Sequence, residues 1–371
     1  MKKTLIALAA LAATAGVAHA QSSVTLYGVA DAFVNSREDK TTTAAGVTTK
    51  LRQGRVDGSG LSSSRWGLRG SEDLGGGLAA VFTLESGFDI STGANANNGG
   101  STAANAGSVL FGRTATVGLK GGFGETRLGR QYTAYDSLRG VTNNTYDSNT
   151  FATTGAIWGT GVQDYSNRIN NAISYASPVF GGFSGSIVYG FGEDKTATSS
   201  ASSSASVQVR YANGPLLIGV AHQREKVTVG SSLFSGANFN SLAAIPAGTA
   251  STVADTRKYS LVGASWDFGV AKIVGSYNQA KNAMFKDKEY QVGVSLPFGA
   301  ASVAAGYTHV KSDARVGTNT NDATGFSLLG TYDLSKRTTL YAGYINMKAE
   351  TVNGAAEAKR SQFGTGVRHT F

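Results

Sequence analysis

Cysteine, proline and long apolar runs are scarce or missing in this chain, and each scarcity excludes a class of structure. Cysteine is absent, which excludes disulfides and thiolate metal sites. Only four prolines occur, while the 49 glycines show no collagen-like repeat and fit a protein with many turns and closely packed backbone. After the first twenty residues there is no run of eighteen apolar residues, so no transmembrane helix is predicted. Helical periodicity is missing as well.

The chain is basic, yet it lacks a dense run of lysine and arginine. Its formal net charge is +9, and loss of the two lysines within the first twenty residues leaves +7. A surface that binds nucleic acid needs a clustered basic patch, whereas here the arginines are spread singly through the predicted strands. We therefore expect no nucleic-acid partner.

Residues 1–20 have the features of a Sec-type signal peptide. A charged start precedes an apolar stretch over residues 5–17, and the small-residue motif Ala-His-Ala ends at Ala20. The apolar stretch is too short to span a bilayer and leads directly into polar sequence. We expect cleavage near Ala20 and a folded domain that covers residues 21–371.

The most frequent pattern in the sequence is the alternation of apolar and polar residues with a period of two. In the last eleven residues Phe363, Val367 and Phe371 share one face, while Gln362 and Arg368 lie on the other. The pattern recurs along the chain with no helix to cover the apolar face. A barrel that turns this face to lipid and its polar face to water explains the pattern. A soluble β-sandwich or barrel with the faces inverted is the alternative, but a sandwich would leave the small apolar residues of many strands without a second layer to pack against.

The alternation predicts sixteen strands, and short connections alternate with long ones rich in Ser, Thr, Asn, Gly and Ala. This is the layout of an all-β, 16-stranded antiparallel transmembrane β-barrel with short periplasmic turns and long extracellular loops, the first long loop being predicted at 36–60. Aromatic residues at strand ends beside the short turns predict an interfacial girdle. The predicted strands are 22–35, 61–71, 78–88, 109–119, 123–131, 168–176, 183–191, 205–212, 215–224, 256–267, 269–281, 286–297, 300–311, 322–333, 338–349 and 359–371. The predicted girdle residues are Phe123, Phe180, Phe183, Trp266, Phe268, Phe298 and Tyr332.

The chain resembles the general porins of Gram-negative bacteria, of the betaproteobacterial and neisserial type. The resemblance covers nearly all of residues 21–371 and implies a homotrimeric diffusion channel with its third loop folded into the pore. It also implies an outer-membrane location in contact with lipid and lipopolysaccharide. The segments that carry the resemblance are QSSVTLYGVAD at 21–31, SRWGLRGSEDLGGGL at 64–78, VFTLESGF at 81–88, GRTATVGLKGGFG at 112–124, LGRQYTAYDS at 128–137, SPVFGGFSGS at 177–186 and GVRHTF at 366–371.

The terminal strand is expected to serve in assembly as well as in the barrel wall. Its outward positions end on Phe371, where a girdle aromatic and the closing strand coincide. We therefore expect Phe371 to be an assembly signal through which the barrel-assembly machinery recognises the C-terminal strand.

Arginines are the first candidates for functional residues, because charges that line a narrow aqueous section decide which ions pass. A charge that faces lipid near the midplane costs roughly 2–4 kcal/mol, so arginines deep in a strand should face the lumen. By resemblance, Arg65, Arg113 and Arg168 match the arginine cluster of the porin constriction, with Arg130 as a fourth position. The alternative is that these arginines lie at strand ends and pair with acids or lipid headgroups.

The opposite wall of the constriction is expected to come from the loop at 132–167. Its acids are Asp136, Asp147 and Asp164, and the loop is longer than an ordinary connection. Arginines that face carboxylates across water would create a transverse field. A plain surface loop is the alternative, and the sequence does not distinguish which acid points inward.

No catalytic, cofactor or metal site is expected. The glycine-rich segment at 118–124 lacks the Lys-Ser/Thr ending of a phosphate-binding loop, so it predicts a tight hairpin. The histidines of the mature chain, His222, His309 and His369, show no metal-ligand spacing, and nothing marks a serine or aspartate paired with one of them.

The sequence therefore predicts an outer-membrane channel for passive diffusion of ions and small hydrophilic solutes, without a cofactor and with a weak preference for anions. Two alternatives stay open. One is a porin selective for a particular small solute, and the other is a barrel that acts as an adhesin or surface receptor through its long loops.

Overall fold

The backbone forms a closed antiparallel sheet in which almost every strand pairs with its neighbours in the chain. The computed structural model describes residues 23–96, 109–143, 150–228, 234–235, 254–315, 317–318, 320–351 and 355–371. In chain order the strands are β1 Ser23–Thr42, β2 Thr48–Gly58, β3 Arg65–Gly75, β4 Leu78–Gly87, β5 Thr114–Gly121, β6 Gly124–Tyr132, β7 Arg168–Ala176, β8 Phe183–Phe191, β9 Ser203–Asn213, β10 Leu216–Val227, β11 Phe234–Ser235, β12 Asp255–Asp267, β13 Lys272–Lys281, β14 Phe285–Phe298, β15 Ala301–Ala314, β16 Thr320–Asp333, β17 Thr338–Thr351 and β18 Ala356–Thr370.

The eighteen strands of the described residues fill sixteen positions in the barrel wall. The strands β2 and β3 lie end to end along β1 and share one position in the wall. Strand β3 pairs with residues 23–29 of β1, and β2 pairs with residues 32–42. The two-residue strand β11 lies in a connection and pairs only with the start of β7. Pairing of β1 with β18 closes the barrel. The predicted 16-stranded antiparallel barrel is confirmed.

The interval 36–60, which the sequence predicts as a loop, is instead mostly a hairpin that extends the wall. Strand β1 continues to Thr42 and β2 begins at Thr48. Both faces of this hairpin carry polar and charged residues, so the apolar alternation that marks a wall strand is missing. Cross-strand ion pairs such as Lys50–Glu38, with 3.1 Å between Nζ and Oε1, help to hold it together.

The apolar side chains of the wall strands point outward. Tyr290 and Val292 of β14 are 45% and 50% exposed, whereas Gln291 between them is buried. In β18, Phe363 and Val367 are exposed in the same way. The seven aromatics predicted as a girdle are all exposed at the short-turn end of the wall. The barrel therefore has an apolar outer band, as predicted.

The third long connection lies inside the barrel and carries two short helices, α1 Ala134–Val141 and α2 Thr154–Ile157. The Thr133 hydroxyl caps α1 by accepting the Asp136 backbone N–H at 3.2 Å. Helix α1 packs against β8, β9, β10 and β12, and α2 packs against β15 and β16. None of the helices in the described residues has the length and apolar character needed to cross a membrane.

Glycines of the wall let this connection lie close to the inner surface. A Cβ atom added at Gly343 would lie 2.5 Å from the Phe151 ring, and one at Gly219 would lie 2.7 Å from Leu138. Gly263 and Gly325 approach the connection equally closely. Since any larger residue would push the connection inward, these glycines set how far it extends into the lumen.

Buried carboxylates of the wall hold the same connection by its backbone. Asp287 accepts hydrogen bonds from the backbone N–H groups of Gly161 and Val162 at 3.0 and 2.8 Å. Glu289 accepts from Gly159 at 2.9 Å, and Glu225 accepts from Ser166 at 2.7 Å. Asp31 does the same for the segment between β2 and β3, at Leu61 and Ser62. Amide groups that would otherwise be buried without partners are thereby satisfied.

The terminal residue closes the seam of the barrel. Phe371 exchanges two backbone hydrogen bonds with Gly28, at 2.9 and 3.0 Å, and its ring lies over that glycine. A Cβ atom at Gly28 would lie 2.2 Å from the ring and 2.8 Å from the Arg65 carbonyl oxygen. Position 28 therefore has room for glycine alone while Phe371 stays in place.

We predict that Gly28→Ala destabilises the folded barrel by about 1–3 kcal/mol, the usual cost of overpacking. The measurement is the midpoint temperature at which the detergent-solubilised protein passes from its compact form to its unfolded form on gels. Gly275→Ala is the matched control, because a Cβ atom there has its nearest neighbour at 3.7 Å. Equal midpoints for the two variants would contradict the role given to Gly28.

Candidate functional site

A cavity of about 580 Å³ lies between the early strands and the connection that is folded into the barrel. The connection contributes residues on one side, among them Asp136, Arg139 and Tyr165, and β3, β4, β7 and the segments beside them form the other side. Because residues of the 132–167 loop line the cavity inside the barrel, the alternative of a plain surface loop does not hold.

Three of the predicted arginines meet at the strand side of this cavity. Arg113 Nε donates to Glu85 Oε1 at 2.7 Å, and Arg65 Nε lies 3.6 Å from Glu85 Oε2. Arg113 also donates to the Tyr132 hydroxyl at 2.9 Å, and Arg168 donates to the same oxygen. The Arg168 guanidinium lies 4.0 Å from the centre of the Tyr132 ring, a cation–π contact. Glu85 and Tyr132 thus hold the three guanidinium groups together on one wall.

Arg130 occupies a different place from the other three. It is buried, and it is not among the described residues that line the cavity. Its Nε donates to the Gly112 carbonyl at 2.7 Å and its Nη1 to Asn170 Oδ1 at 2.6 Å. It therefore supports the backbone just before Arg113 and, through Asn170, the start of β7.

The three predicted loop acids also differ in position. Asp136 lines the cavity and accepts a hydrogen bond from the Tyr165 hydroxyl at 2.6 Å. Asp164 is buried behind the cavity lining, where both of its carboxylate oxygens accept from Arg139 Nη1 at 2.8 Å. Asp147 lies outside the described residues.

Arg139 is a lining residue that the sequence reasoning missed. Burial alone would lower the pKa of its guanidinium, but the Asp164 carboxylate together with Tyr165 and Tyr135 raises this pKa, so Arg139 stays charged. Its guanidinium also lies 4.8 Å from the Trp158 ring centre and 4.7 Å from that of Tyr165. The available signal is that Arg139 follows Asp136 by three residues, which puts the two on one face of α1.

Glu85 is the second lining residue that was not predicted, although the sequence indicates that it faces the lumen. It alternates with Phe82 and Leu84 in β4, so it shares the inward face with Thr83. A carboxylate that faced lipid would cost free energy, as a lipid-facing arginine would, so Glu85 is also expected to face the lumen.

Four guanidinium groups and two carboxylates line the cavity among the described residues. The cations are Arg65, Arg113, Arg139 and Arg168, and the acids are Glu85 and Asp136. The site therefore carries an excess of positive charge in a narrow, polar passage, where low-dielectric walls focus the field. No group of three side chains suited to a metal ion occurs in the described parts of the chain.

Comparison with known proteins agrees with this geometry. The sequence profile described as "Gram-negative porin" matches residues 7–351. The chain is 35% identical to outer membrane porin protein 32 of Delftia acidovorans over the full length of both proteins. Among solved structures, the anion-selective porin from Comamonas acidovorans superposes with a TM-score of 0.71 at 29% identity, covering 94% of this chain and 100% of that porin. The trimer form of OmpT from Vibrio cholerae has the same fold, with a TM-score of 0.64 at 21% identity over 94% of this chain and 99% of OmpT.

The profile match spans most of the chain, and the curated relative aligns from end to end. The closed barrel, its apolar outer band and its polar, loop-narrowed interior are what such a relationship requires. The chain belongs to the Gram-negative porin family and forms a water-filled channel for passive diffusion across the outer membrane.

Proposed function

We propose that this porin passes ions and small hydrophilic solutes with a weak preference for anions. The observation that carries the proposal is the meeting of Arg65, Arg113 and Arg168 at one wall of the loop-narrowed cavity. The anion selectivity named for the Comamonas acidovorans porin, which is 29% identical, supports the same direction.

The charge at the narrow section matters more than the charge of the whole chain. Fixed charges act strongly on ions that pass within about one Debye length, roughly 8–10 Å at physiological salt. Charges at the outer rim act across open water and are largely screened. Asp136 faces the arginine side from the loop, so a permeating dipole experiences a transverse field as well as a net positive potential.

Neutralising the arginine wall should reverse the preference. In the variant with Arg65→Gln, Arg113→Gln and Arg168→Gln, Glu85 and Asp136 outnumber the remaining lining cation. We expect the zero-current potential in a KCl gradient to shift toward cation preference, and the shift to shrink as the salt concentration rises. Planar-bilayer recording measures both effects.

The control is neutralisation of Lys40 and Lys50, which lie in the hairpin above the wall. These lysines face water at the rim, so the potential should shift far less. Equal shifts from the two sets of substitutions, or no shift from either set, would contradict the assignment of these arginines to the constriction. Saturable block of the conductance by one solute would instead identify a solute-selective porin.

The carboxylate between the arginines gives a prediction of opposite sign. Glu85→Gln removes a negative charge that lies 2.7 Å from Arg113 and 3.6 Å from Arg65. The zero-current potential should therefore move toward stronger anion preference, without the loss of a cation. An unchanged potential in this variant would mean that Glu85 does not act on the permeation path, and a shift toward cations would contradict the predicted sign.

We also propose that the protein assembles as a homotrimer and that the strand ending in Phe371 is its assembly signal. The trimer form known for OmpT of Vibrio cholerae supports the first proposal. The seam that Phe371 forms with Gly28 supports the second, since a missing terminal residue would leave β1 without a partner at that point. We further propose that the barrel contacts outer-membrane lipid and that the barrel-assembly machinery binds its C-terminal strand.

Mild detergent extracts should run at three times the monomer mass on unheated gels and collapse to the monomer on boiling. Native mass spectrometry of the same extract checks the stoichiometry directly. A monomer as the only species in both measurements, together with normal channel conductance, would exclude the trimer and leave the channel function intact.

A further inference from the structure

Tyr132 is the uncharged member of the arginine wall. Its hydroxyl oxygen accepts a hydrogen bond from Arg113 Nη2 at 2.9 Å and another from Arg168, and its ring centre lies 4.0 Å from the Arg168 guanidinium. Glu85 also binds Arg113, but the charge of its carboxylate cancels part of the charge of the guanidinium. A phenol hydroxyl accepts from both cations and leaves their combined charge unchanged. Tyr132 therefore holds two guanidinium groups beside the passage without weakening their field.

Arg113 and Arg168 need such a group between them, because two like charges at close range repel each other. The Tyr132 oxygen accepts from both groups, and the face of its ring adds a cation–π attraction for Arg168. If the hydroxyl were lost, the two guanidinium groups would be expected to turn apart. Arg113 would then rely on Glu85, which it already contacts at 2.7 Å.

The lumenal position of Tyr132 does not follow from the alternation of its strand. Leu128 of β6 is 56% exposed on the outer face, and regular alternation would place Tyr132, four residues later, on the same face. Tyr132 instead lines the cavity. Strand β6 pairs with β5 only as far as Arg130, whereas its pairing with β7 continues to Tyr132, opposite Arg168. The end of β6 thus leaves β5 and turns together with β7.

A β-bulge lies where this change of direction occurs. The register of β6 and β7 shifts where Arg130 of β6 lies opposite two residues of β7, Asn170 and Asn171. Asn171 has a φ of 50°, in the left-handed region that asparagine tolerates better than most residues. A bulge bends its strand and changes the direction of the side chains that follow it. It therefore explains how Tyr132 and Arg168 come to face the cavity.

Side-chain hydrogen bonds hold the bulge. Arg130 Nη1 donates to Asn170 Oδ1 at 2.6 Å, and Asn171 Nδ2 donates to Glu193 Oε2 at 2.9 Å. Because Arg130 also donates to the carbonyl of Gly112, it joins the bulge to the backbone that leads into the wall. Arg130 thus contributes to the site without lining the cavity.

We propose that Tyr132 is a positioning residue that determines part of the selectivity of the constriction. It holds Arg113 and Arg168 together beside the passage, and the bulge at Asn170 and Asn171 directs it there. The proposal rests on the proposed anion preference and assigns part of that preference to a residue that carries no charge.

The first test is Tyr132→Phe, which removes the shared hydroxyl, keeps the ring and changes no charge. The zero-current potential in a KCl gradient, recorded in planar bilayers, gives the anion-to-cation permeability ratio. This ratio should fall roughly two-fold, because the attraction of a guanidinium for a passing anion weakens with distance as the group turns away.

Tyr175→Phe is the control for loss of a tyrosine hydroxyl. Tyr175 is exposed on the outer face of β7, where its hydroxyl donates to the Phe123 carbonyl at 2.6 Å. The permeability ratio of this variant should equal that of the wild type. Unheated gels confirm that each variant reaches the compact barrel form before it is recorded.

A double substitution separates positioning from a merely structural effect. If Tyr132 acts through Arg168, then Arg168→Gln should shift the potential less in the Tyr132→Phe background than in the wild type. Additive shifts would mean that the two residues act independently, and would overturn the proposal.

The bulge is tested by two substitutions of one residue. Asn171→Gly and Asn171→Val both remove the hydrogen bond to Glu193, but only glycine adopts a positive φ without strain. We expect the glycine variant to keep the permeability ratio of the wild type and the valine variant to lower it, as Tyr132→Phe does. Equal ratios for the two variants would overturn the role given to the bulge.

Failure of this proposal is distinguishable from failure of the proposed anion preference. An unchanged ratio in Tyr132→Phe, together with a reversed preference when Arg65, Arg113 and Arg168 are neutralised, would overturn the role of Tyr132 and leave the arginine wall in place. If neutralising the arginines also had no effect, the anion preference itself would be wrong, and the role of Tyr132 with it.

Discussion

Backbone hydrogen bonding in lipid is the constraint on which this structure depends. No water is available in the hydrocarbon layer, so each N–H and C=O group of the wall must find its partner within the protein. Antiparallel pairing in chain order achieves this, provided that the first and last strands meet. They meet over fourteen residue pairs of β1 and β18, and the chain ends with the bonds between Phe371 and Gly28. The outward apolar band and the polar interior follow from that closure.

Closure leaves the interior without the packed core of a soluble protein, and the third connection provides one. The buried apolar cluster joins Tyr135, Leu138 and Phe151 of the connection with wall residues such as Tyr259 and Ile345. Glycines bring the two surfaces together, and wall carboxylates satisfy the backbone of the connection. The connection is therefore fixed in place, and its free side, together with the arginine wall, determines the shape of the passage.

Local patterns predicted the wall well and the interior poorly. The strands at 168–176 and 183–191 match the structure at both ends, because alternation and turn residues are local signals. The hairpin around Thr42 and Thr48 was missed, because a strand with water on both faces shows no alternation. That Asp136 lines the cavity while Asp164 is buried against Arg139 depends on α1 and on contacts distant in sequence. The cost of charge in lipid pointed to inward arginines, but it could not separate Arg130, which does not line the cavity, from Arg113, which does.

The wall carboxylates that hold the connection also tie the narrow passage to a distant part of the chain. Asp287 binds the backbone of Gly161 from 126 positions further along the chain, and Glu289 binds Gly159 from 130 positions away. These carboxylates come from β14, in the second half of the chain, whereas Arg65, Arg113 and Arg168 come from the first half. The shape of the narrow passage thus depends on a strand that contributes no described residue to the lining of the cavity.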